Sequence, residues 1–363
     1  MNSQRFACKL HAMNLPDGNV NNSFAVTSLY EPLKYIDLFC GIGGFRIAAE
    51  PLGWRCVFSS DIDVECQRAY EANFGERPFG DIHQVQAEDV PDHDILFGGF
   101  PCQPFSIIGD RKGFDDTRGT LFFEIARLLE AKKPRAFVLE NVKLLAGHNG
   151  GKTIARITEV LRELGYDTRY KVLNALNFGL PQKRERVFIV GSLNGLSHFQ
   201  FPMGGVPMKP LSEILEAEIP KKFYASEHIV RQRQEAHPNP HPSPAIWHEN
   251  KGGHISSYPF SCALRAGASY NYLLVDGIRR LTPREMLRLQ GFPDTYKIVC
   301  ADGEARKQAG NSVPVPMVRA VLFQLAKALA AHNQEGTHHP RESNSIQPPS
   351  NYKQLELALS FDT

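Results

Sequence analysis

One cysteine in this chain stands between two prolines. It is Cys102, in the stretch Gly98-Gly99-Phe100-Pro101-Cys102-Gln103-Pro104-Phe105-Ser106, directly after the apolar run Asp94-Ile95-Leu96-Phe97. Proline stiffens a turn, so a thiol held there at the carboxyl end of a strand is presented for chemistry rather than packed away. A nucleophilic cysteine acts as the thiolate, which needs positive charge or a helix terminus beside it. Two other places supply suitable partners. Glu140, in Glu140-Asn141-Val142 at the end of the run Arg135 to Leu139, is a candidate acid whose pKa a closed apolar pocket would raise. Arg184 and Arg186, in Gln182-Lys183-Arg184-Glu185-Arg186, share one face of an extended segment. Two guanidiniums there can bind a carbonyl oxygen and a phosphate while favouring a nearby thiolate. Taken singly, each has a plainer reading: an inert buried cysteine, a surface cap, an exposed charged strand entry.

A fourth constellation points to a cofactor. In Asp37-Leu38-Phe39-Cys40-Gly41-Ile42-Gly43-Gly44-Phe45, glycines between a strand and a helix let backbone approach a ligand at the carboxyl edge of a sheet. Alone, such a loop is as readily a tight turn with no ligand. Asp61, however, ends the next strand 18 residues after Gly43, where an acid can hold ribose hydroxyls. The loop is not the pyrophosphate-binding GxGxxG, which favours a nucleoside cofactor without a pyrophosphate, S-adenosylmethionine first among them. Asp81 and Ile82 would then reach the adenine edge.

The elements that must position these groups follow from periodicity. Strands are predicted at Lys34 to Phe39, Arg55 to Ser59, Asp92 to Phe97, Arg135 to Leu139 and Arg186 to Val190. Helices are predicted from the glycine turn through Glu50, and over Val64 to Asn73, Gly119 to Lys132 and Thr153 to Leu164. Alternating strands and helices imply an α/β fold around a mostly parallel, doubly wound sheet. Its parallel strands end together, which would put Glu140 on the same edge as Cys102. The alternation stops near Ser192. Residues 192 to 278 are rich in Pro, Gly, His and Ser, including His237-Pro238-Asn239-Pro240-His241-Pro242-Ser243-Pro244, and read as a smaller irregular domain. Helical pattern returns at Thr282 to Leu289 and from Val315 to about Ala331. Residues 1 to 33 read as a loose arm and 332 to 363 as a flexible polar tail.

Composition narrows the class. A chain of 363 residues, 42% apolar and 22% charged, can bury a large core and a smaller one. No apolar run reaches the roughly 18 residues of a membrane span, and residues 1 to 22 lack an apolar signal core. The seven cysteines form no CxxC pair and no metal spacing, the usage of a cytoplasmic enzyme with reduced thiols. Between Lys221 and Gln290, ten Lys and Arg face five Asp and Glu, a local surplus of five that suits a polyanionic partner or a solvated basic surface.

In their order along the chain, these motifs resemble those of the DNA (cytosine-5) methyltransferases of bacterial restriction–modification systems. Two more segments carry the resemblance: Arg279-Arg280-Leu281-Thr282-Pro283-Arg284-Glu285 through Gln290-Gly291-Phe292-Pro293, and Gln308-Ala309-Gly310-Asn311-Ser312-Val313-Pro314. It runs from about Lys34 to Ala328. It implies an S-adenosylmethionine-dependent methyltransferase fold, Rossmann-like, with 34 to 191 as the catalytic and cofactor-binding domain. Residues 192 to 278 would be the target-recognition domain, and 279 to 331 closing segments whose helix returns to the catalytic domain. Cys102 would be the nucleophile that adds to cytosine C6, Glu140 the group on N3 and the exocyclic amine, and Arg186 the contact to O2. Arg184 would support the flipped nucleotide and the cysteine. Phe39, Gly41, Ile42, Gly43, Asp61, Ile62, Asp81, Ile82, Leu121, Asn311 and Ser312 match methyl-donor positions. Ile62 departs from relatives that place an aromatic ring against the adenine.

The segment Ser106 to Arg118 matches a loop that closes over flipped DNA, with Gln103, Ser106 and Arg118 toward the nucleic acid. Arg231, Arg233, Arg265 and Lys251 would read base edges or hold phosphates of double-stranded DNA. Ala263-Leu264-Arg265-Ala266 falls at a short recognition-domain motif. A monomer is the default, since one duplex site needs only one base flipped at a time, and the resemblance implies a functional relation to a cognate restriction endonuclease. A tRNA cytosine-5 methyltransferase would carry a Cys-Phe-Thr signature in the second domain, which is absent. A catalytically silent DNA-binding relative would lack Cys102, Glu140 or the arginines, and all are present. A nicotinamide-dependent oxidoreductase fits neither the loop nor the cysteine–glutamate–arginine set.

Overall fold

The computed structural model describes residues 32 to 101 and 121 to 335. The arm before residue 32, the tail after 335, and the segment with Cys102, Gln103, Ser106 and Arg118 lie outside the described residues.

Eleven strands are described: β1 (Lys34–Leu38), β2 (Arg55–Ser60), β3 (Ile95–Gly99), β4 (Ala136–Val142), β5 (Asp167–Asn174), β6 (Gln182–Lys183), β7 (Glu185–Ser192), β8 (Ile246–Glu249), β9 (Ile255–Tyr258), β10 (Ser261–Cys262) and β11 (Leu273–Val275). Six make one sheet in the order β2-β1-β3-β4-β7-β5. β1, β2, β3 and β4 pair in parallel, while β7 runs antiparallel to both β4 and β5. The mostly parallel expectation holds, with one reversed strand. The central strands β1, β3 and β4 are buried nearly throughout, which is why they read as unbroken apolar runs. β5 was not legible as a strand: it lies at the sheet edge, and Asp167, Arg169, Tyr170 and Lys171 face solvent.

The main helices are α1 (Gly44–Ala49), α2 (Val64–Phe74), α3 (Leu121–Lys132), α4 (Lys152–Glu163), α5 (Glu227–Ala236), α6 (Pro283–Leu289), α7 (Asp302–Asn311) and α8 (Val315–Glu335). α2 starts where Asp63 accepts the Glu65 and Cys66 amides at 3.0 and 3.3 Å, an N-cap that fixes its entry. α6 starts in a capping box between Thr282 and Glu285. α8 is long and apolar enough on average to cross a membrane by composition, although Arg319, Gln324 and Lys327 interrupt it and no unbroken apolar run of that length occurs. Two-thirds of that window is buried, and Val315, Met317, Val318, Val321, Leu322 and Leu325 are wholly inside the core, where α8 packs on α1. Composition makes it a candidate span; burial makes it a core helix.

Residues 192 to 278 are less irregular than their Pro and Gly content suggests. β9, β8 and β11 form an antiparallel three-stranded sheet, and β10 pairs in parallel with β6, next to the entry of β7.

Candidate active site

The reversed strand builds the site. β3 and β4 end together, with Gly99 opposite Glu140, and antiparallel β7 enters from that same edge, with Arg186 opposite Val142. A strand running the other way thus brings Arg186 to the carboxyl edge at its own beginning. Arg186 Nε lies 2.8 Å from Glu140 Oε1, and its Nη1 donates to the Glu185 carbonyl at 2.8 Å. Glu140 is buried, which pushes its carboxyl pKa up; Arg186 first, then Arg184, oppose the shift. The carboxyl therefore holds a proton more readily than an ordinary glutamate, beside a fixed cation.

Asn141, given no role from sequence, secures the next piece. Its Nδ2 donates to the Phe100 carbonyl at 2.9 Å, while its Oδ1 accepts the Val142 amide at 2.8 Å. The backbone two residues before Cys102 is thereby tied to the strand that carries Glu140.

Arg184, expected to support the flipped nucleotide and the cysteine, is anchored to backbone carbonyls. It is 1% exposed; Nη1 donates to Leu264 O at 2.9 Å, and Nη2 to Gly310 O at 2.9 Å and Ser312 O at 2.6 Å. Burial, then Arg186, push its pKa well down. Both terminal nitrogens are committed to carbonyls. Only Nε has no hydrogen-bond partner among the described residues.

Glu140, Arg184 and Arg186 line one end of a cavity of about 600 Å³, within the range of sites for small organic ligands. Phe39, Gly41, Ile42, Asp61, Ile62, Asp81, Ile82, Leu121, Asn311 and Ser312 line the rest, so one continuous space joins the expected donor residues to the expected catalytic ones. Gly43 is the exception. It caps α1 with φ +81°, and a Cβ there would lie 2.2 Å from the Phe74 ring, so it packs behind the loop against α2.

Asp61 shapes the loop itself: Oδ2 accepts the Gly41 amide at 2.7 Å and Oδ1 the Asp63 amide at 2.9 Å. Burial raises its pKa against those two hydrogen bonds. Asp81 is held ionised by His83, whose ring and backbone nitrogens both contact Oδ1. Ile62 is 70% exposed yet borders the cavity, an apolar wall ready to be covered. Lys307 on α7 pairs with Asp63, a cavity-lining residue at the start of α2, at 2.6 Å. Gln308 was missed from sequence. It lines the cavity, and its buried Nε2 has no hydrogen-bond partner among the described residues.

The basic residues of the 192 to 278 stretch separate by orientation. Arg231 and Lys251 are exposed, and Arg265 is exposed with its guanidinium 4.8 Å from the Tyr272 ring centroid. Arg233 faces inward, correcting its expected place at the nucleic acid. It is 3% exposed, paired with Glu249 at 2.6 Å and bonded to the Asn271 carbonyl. Two positions apart on α5, the two arginines point to opposite sides of the helix.

A family model described as C-5 cytosine-specific DNA methylase matches residues 33 to 327. The type II methyltransferase M.HaeII of Haemophilus aegyptius is 54% identical over 298 residues, covering 82% of this chain and 93% of that protein. M.NgoBI of Neisseria gonorrhoeae, also a type II methyltransferase, is 54% identical over 289 residues, covering 79% and 91%. Among solved structures, the Entamoeba histolytica methyltransferase EhMeth superposes with a TM-score of 0.65 at 16% identity, covering 83% of this chain and 99% of that one, a likeness of fold. With a match across most of its length and relatives at this identity, the chain belongs to the C-5 cytosine-specific DNA methylase family and is a DNA (cytosine-5) methyltransferase.

Proposed function

We propose that this enzyme methylates one cytosine within a short DNA sequence, after extruding that base into the cavity and bonding Cys102 Sγ to its C6. The observation that carries the reading is the buried Glu140–Arg186 pair at one end of a cavity whose other end is the glycine loop. Cytosine C5 is a poor nucleophile until a thiolate adds at C6. As that bond forms, electron density moves toward N3 and O2, where Glu140 donates a proton to N3 and Arg186 meets O2. The raised pKa of Glu140 keeps the proton available, and the fixed guanidinium needs no reorganisation as charge develops. After methylation the C5 proton leaves to a base. The C6–Sγ bond then breaks, restoring the ring and the thiolate. None of these atoms is reachable inside a stacked duplex, so unstacking, at a cost of a few kcal/mol, precedes the chemistry.

S-adenosylmethionine, when bound, supplies the electrophilic methyl group. The cavity suits it. Asp61 and Asp81 are acceptors for ribose and adenine, Phe39, Ile62 and Ile82 offer apolar walls, and Asn311, Ser312 and the unpaired Gln308 amide are donors for its polar end. In this reading residues 34 to 191 carry catalysis, 192 to 278 recognise duplex DNA through Arg231, Arg265 and Lys251, and 279 to 331 close the fold. The loop from Ser106 to Arg118, with Gln103, covers the flipped base. The enzyme acts as a monomer in the bacterial cytoplasm and protects host DNA from a cognate endonuclease.

Bisulfite sequencing of DNA from an otherwise unmethylated host expressing this chain should show conversion-resistant cytosines at one recurring sequence. Cys102→Ser should abolish them while leaving donor binding intact. Uniform conversion under confirmed expression, or a fully active serine variant, refutes the reading.

A further inference from the structure

Two buried amides next to Arg184 have no part in the reaction above. Gln182 and Gln290 are both fully buried. The Gln182 Oε1 accepts the Leu264 amide at 3.2 Å, while its Nε2 donates to Leu289 O at 2.8 Å and lies 3.4 Å from Gln290 Oε1. Gln290 Nε2 donates to Ala309 O at 2.6 Å and reaches Ser312 O at 3.5 Å. Arg184 closes the circuit through Leu264 O, Gly310 O and Ser312 O. Both backbone polar groups of Leu264 are therefore held by side chains from the entry of β7. The same network grips the last turn of α7, at 309 to 312, of which Gly310, Asn311 and Ser312 line the donor cavity.

The two gripped segments also touch. A Cβ at Gly310 would sit 2.5 Å from the Ala266 nitrogen, so this approach requires glycine. Leu264 precedes Arg265, the exposed arginine stacked on Tyr272, and the Arg265 amide donates to the Tyr272 hydroxyl at 2.9 Å. Buried polar networks tolerate partial loss poorly, because a group left without its partner is out of reach of water. A shift of the 264 to 266 segment must then either move the 309 to 312 turn with it or break several buried bonds.

We propose that Gln182 and Gln290 are positioning residues that couple engagement of DNA at 264 to 266 with occupancy of the donor cavity at 309 to 312. The proposal rests on the assignment of those segments to DNA and donor made above. Linkage makes the coupling reciprocal: DNA tightens donor binding by the factor by which donor tightens DNA binding.

The test is calorimetric titration of S-adenosylhomocysteine into the full chain, alone and with a duplex carrying the bisulfite-mapped site. The wild-type protein should bind S-adenosylhomocysteine at least about fivefold more tightly with the duplex, the lower end of ordinary coupling. Gln182→Met should bring that enhancement below about twofold, with affinity in the absence of DNA changed by less than about twofold. Gln290→Met perturbs the same circuit from the donor side. It should lose the enhancement too, and it decides the matter if Gln182→Met does not fold. Wild-type enhancement retained in a folded variant, or affinity lost equally with and without DNA, overturns the coupling. So does a wild-type protein that binds S-adenosylhomocysteine indifferently to DNA. A wild-type protein that does not bind it at all overturns the donor-cavity assignment, and the coupling with it.

Discussion

Replacing Arg186 with methionine should destabilise the protein in a way that depends on pH, because Arg186 opposes the burial that raises the Glu140 pKa. In the wild-type protein the cation offsets part of the desolvation of the carboxylate. In Arg186→Met the carboxyl stays buried without its nearest cation, so the folded state takes up a proton that the unfolded chain releases above about pH 4.3. Stability of the variant then falls as pH rises above that value, by at most about 1.4 kcal/mol per pH unit, until the folded pKa is passed. At pH 7 protonation caps the cost, since a neutral Glu140 needs no counter-ion, and 1.4 kcal/mol over about 2.7 pH units gives a ceiling of about 4 kcal/mol. Below about pH 4 the sign works the other way: the wild-type protein buries a guanidinium against a protonated acid, and the variant does not. Urea unfolding from about pH 4 to 8 should therefore show a deficit that opens with rising pH. Turnover should fall by roughly 10²–10³, the usual loss of one donor to a developing oxyanion. A deficit of constant size across that range would refute the coupling between the two side chains.

Arg231→Ala and Arg233→Ala should separate cleanly despite their proximity in sequence. The first removes an exposed cation, so DNA affinity should drop and the salt slope should flatten by about one, with the thermal midpoint unchanged. The second strips partners from Glu249 and the Asn271 carbonyl, so stability should fall by about 1–3 kcal/mol, and the reverse pattern in melting and salt-titrated binding would overturn the inward placement of Arg233. Ile62→Ala should weaken donor binding by about 1–2 kcal/mol, roughly five- to thirtyfold. Because Ile62 is 70% exposed, melting should not change; a lowered melting point with unaltered donor affinity would show that Ile62 packs rather than binds.

What sequence could show, and what it could not, divides along physical lines. β1, β3 and β4 announced themselves because strands buried on both faces must be apolar throughout, and Glu140 followed as the residue where such a run ends. β5 did not, because an edge strand with one wet face carries Arg, Tyr and Lys without penalty. The direction of β7 was equally hidden: Val187 to Val190 is apolar whichever way it runs, and only pairing with β4 shows that Arg186 arrives at the correct edge. Arg233 was misplaced because a basic residue in a basic stretch carries no mark of burial; its partner Glu249 lies 16 residues away on another element. Gly43 shows the same limit from the other side. Its positive φ and its contact with Phe74 explain the glycine without any ligand.

The reversal of β7 decides how Glu140 and Arg186 are held together. A fully parallel sheet could deliver Glu140 to this edge, but its counter-ion would have to come from a loop. Antiparallel pairing instead fixes Arg186 on a strand whose register with β4 is set by seven opposed residue pairs, from Ala136 opposite Ser192 to Val142 opposite Arg186. The acid and the cation are thus positioned by the same hydrogen-bond ladder, and neither can drift without breaking it. Arg184, two residues before that ladder begins, accepts the Ala175 amide at its backbone carbonyl and turns its side chain toward Leu264, Gly310 and Ser312. Two arginines at alternate positions therefore do different work for a single reason. The one inside the strand is held against Glu140, and the one just outside it joins Leu264, Gly310 and Ser312 to the same sheet edge.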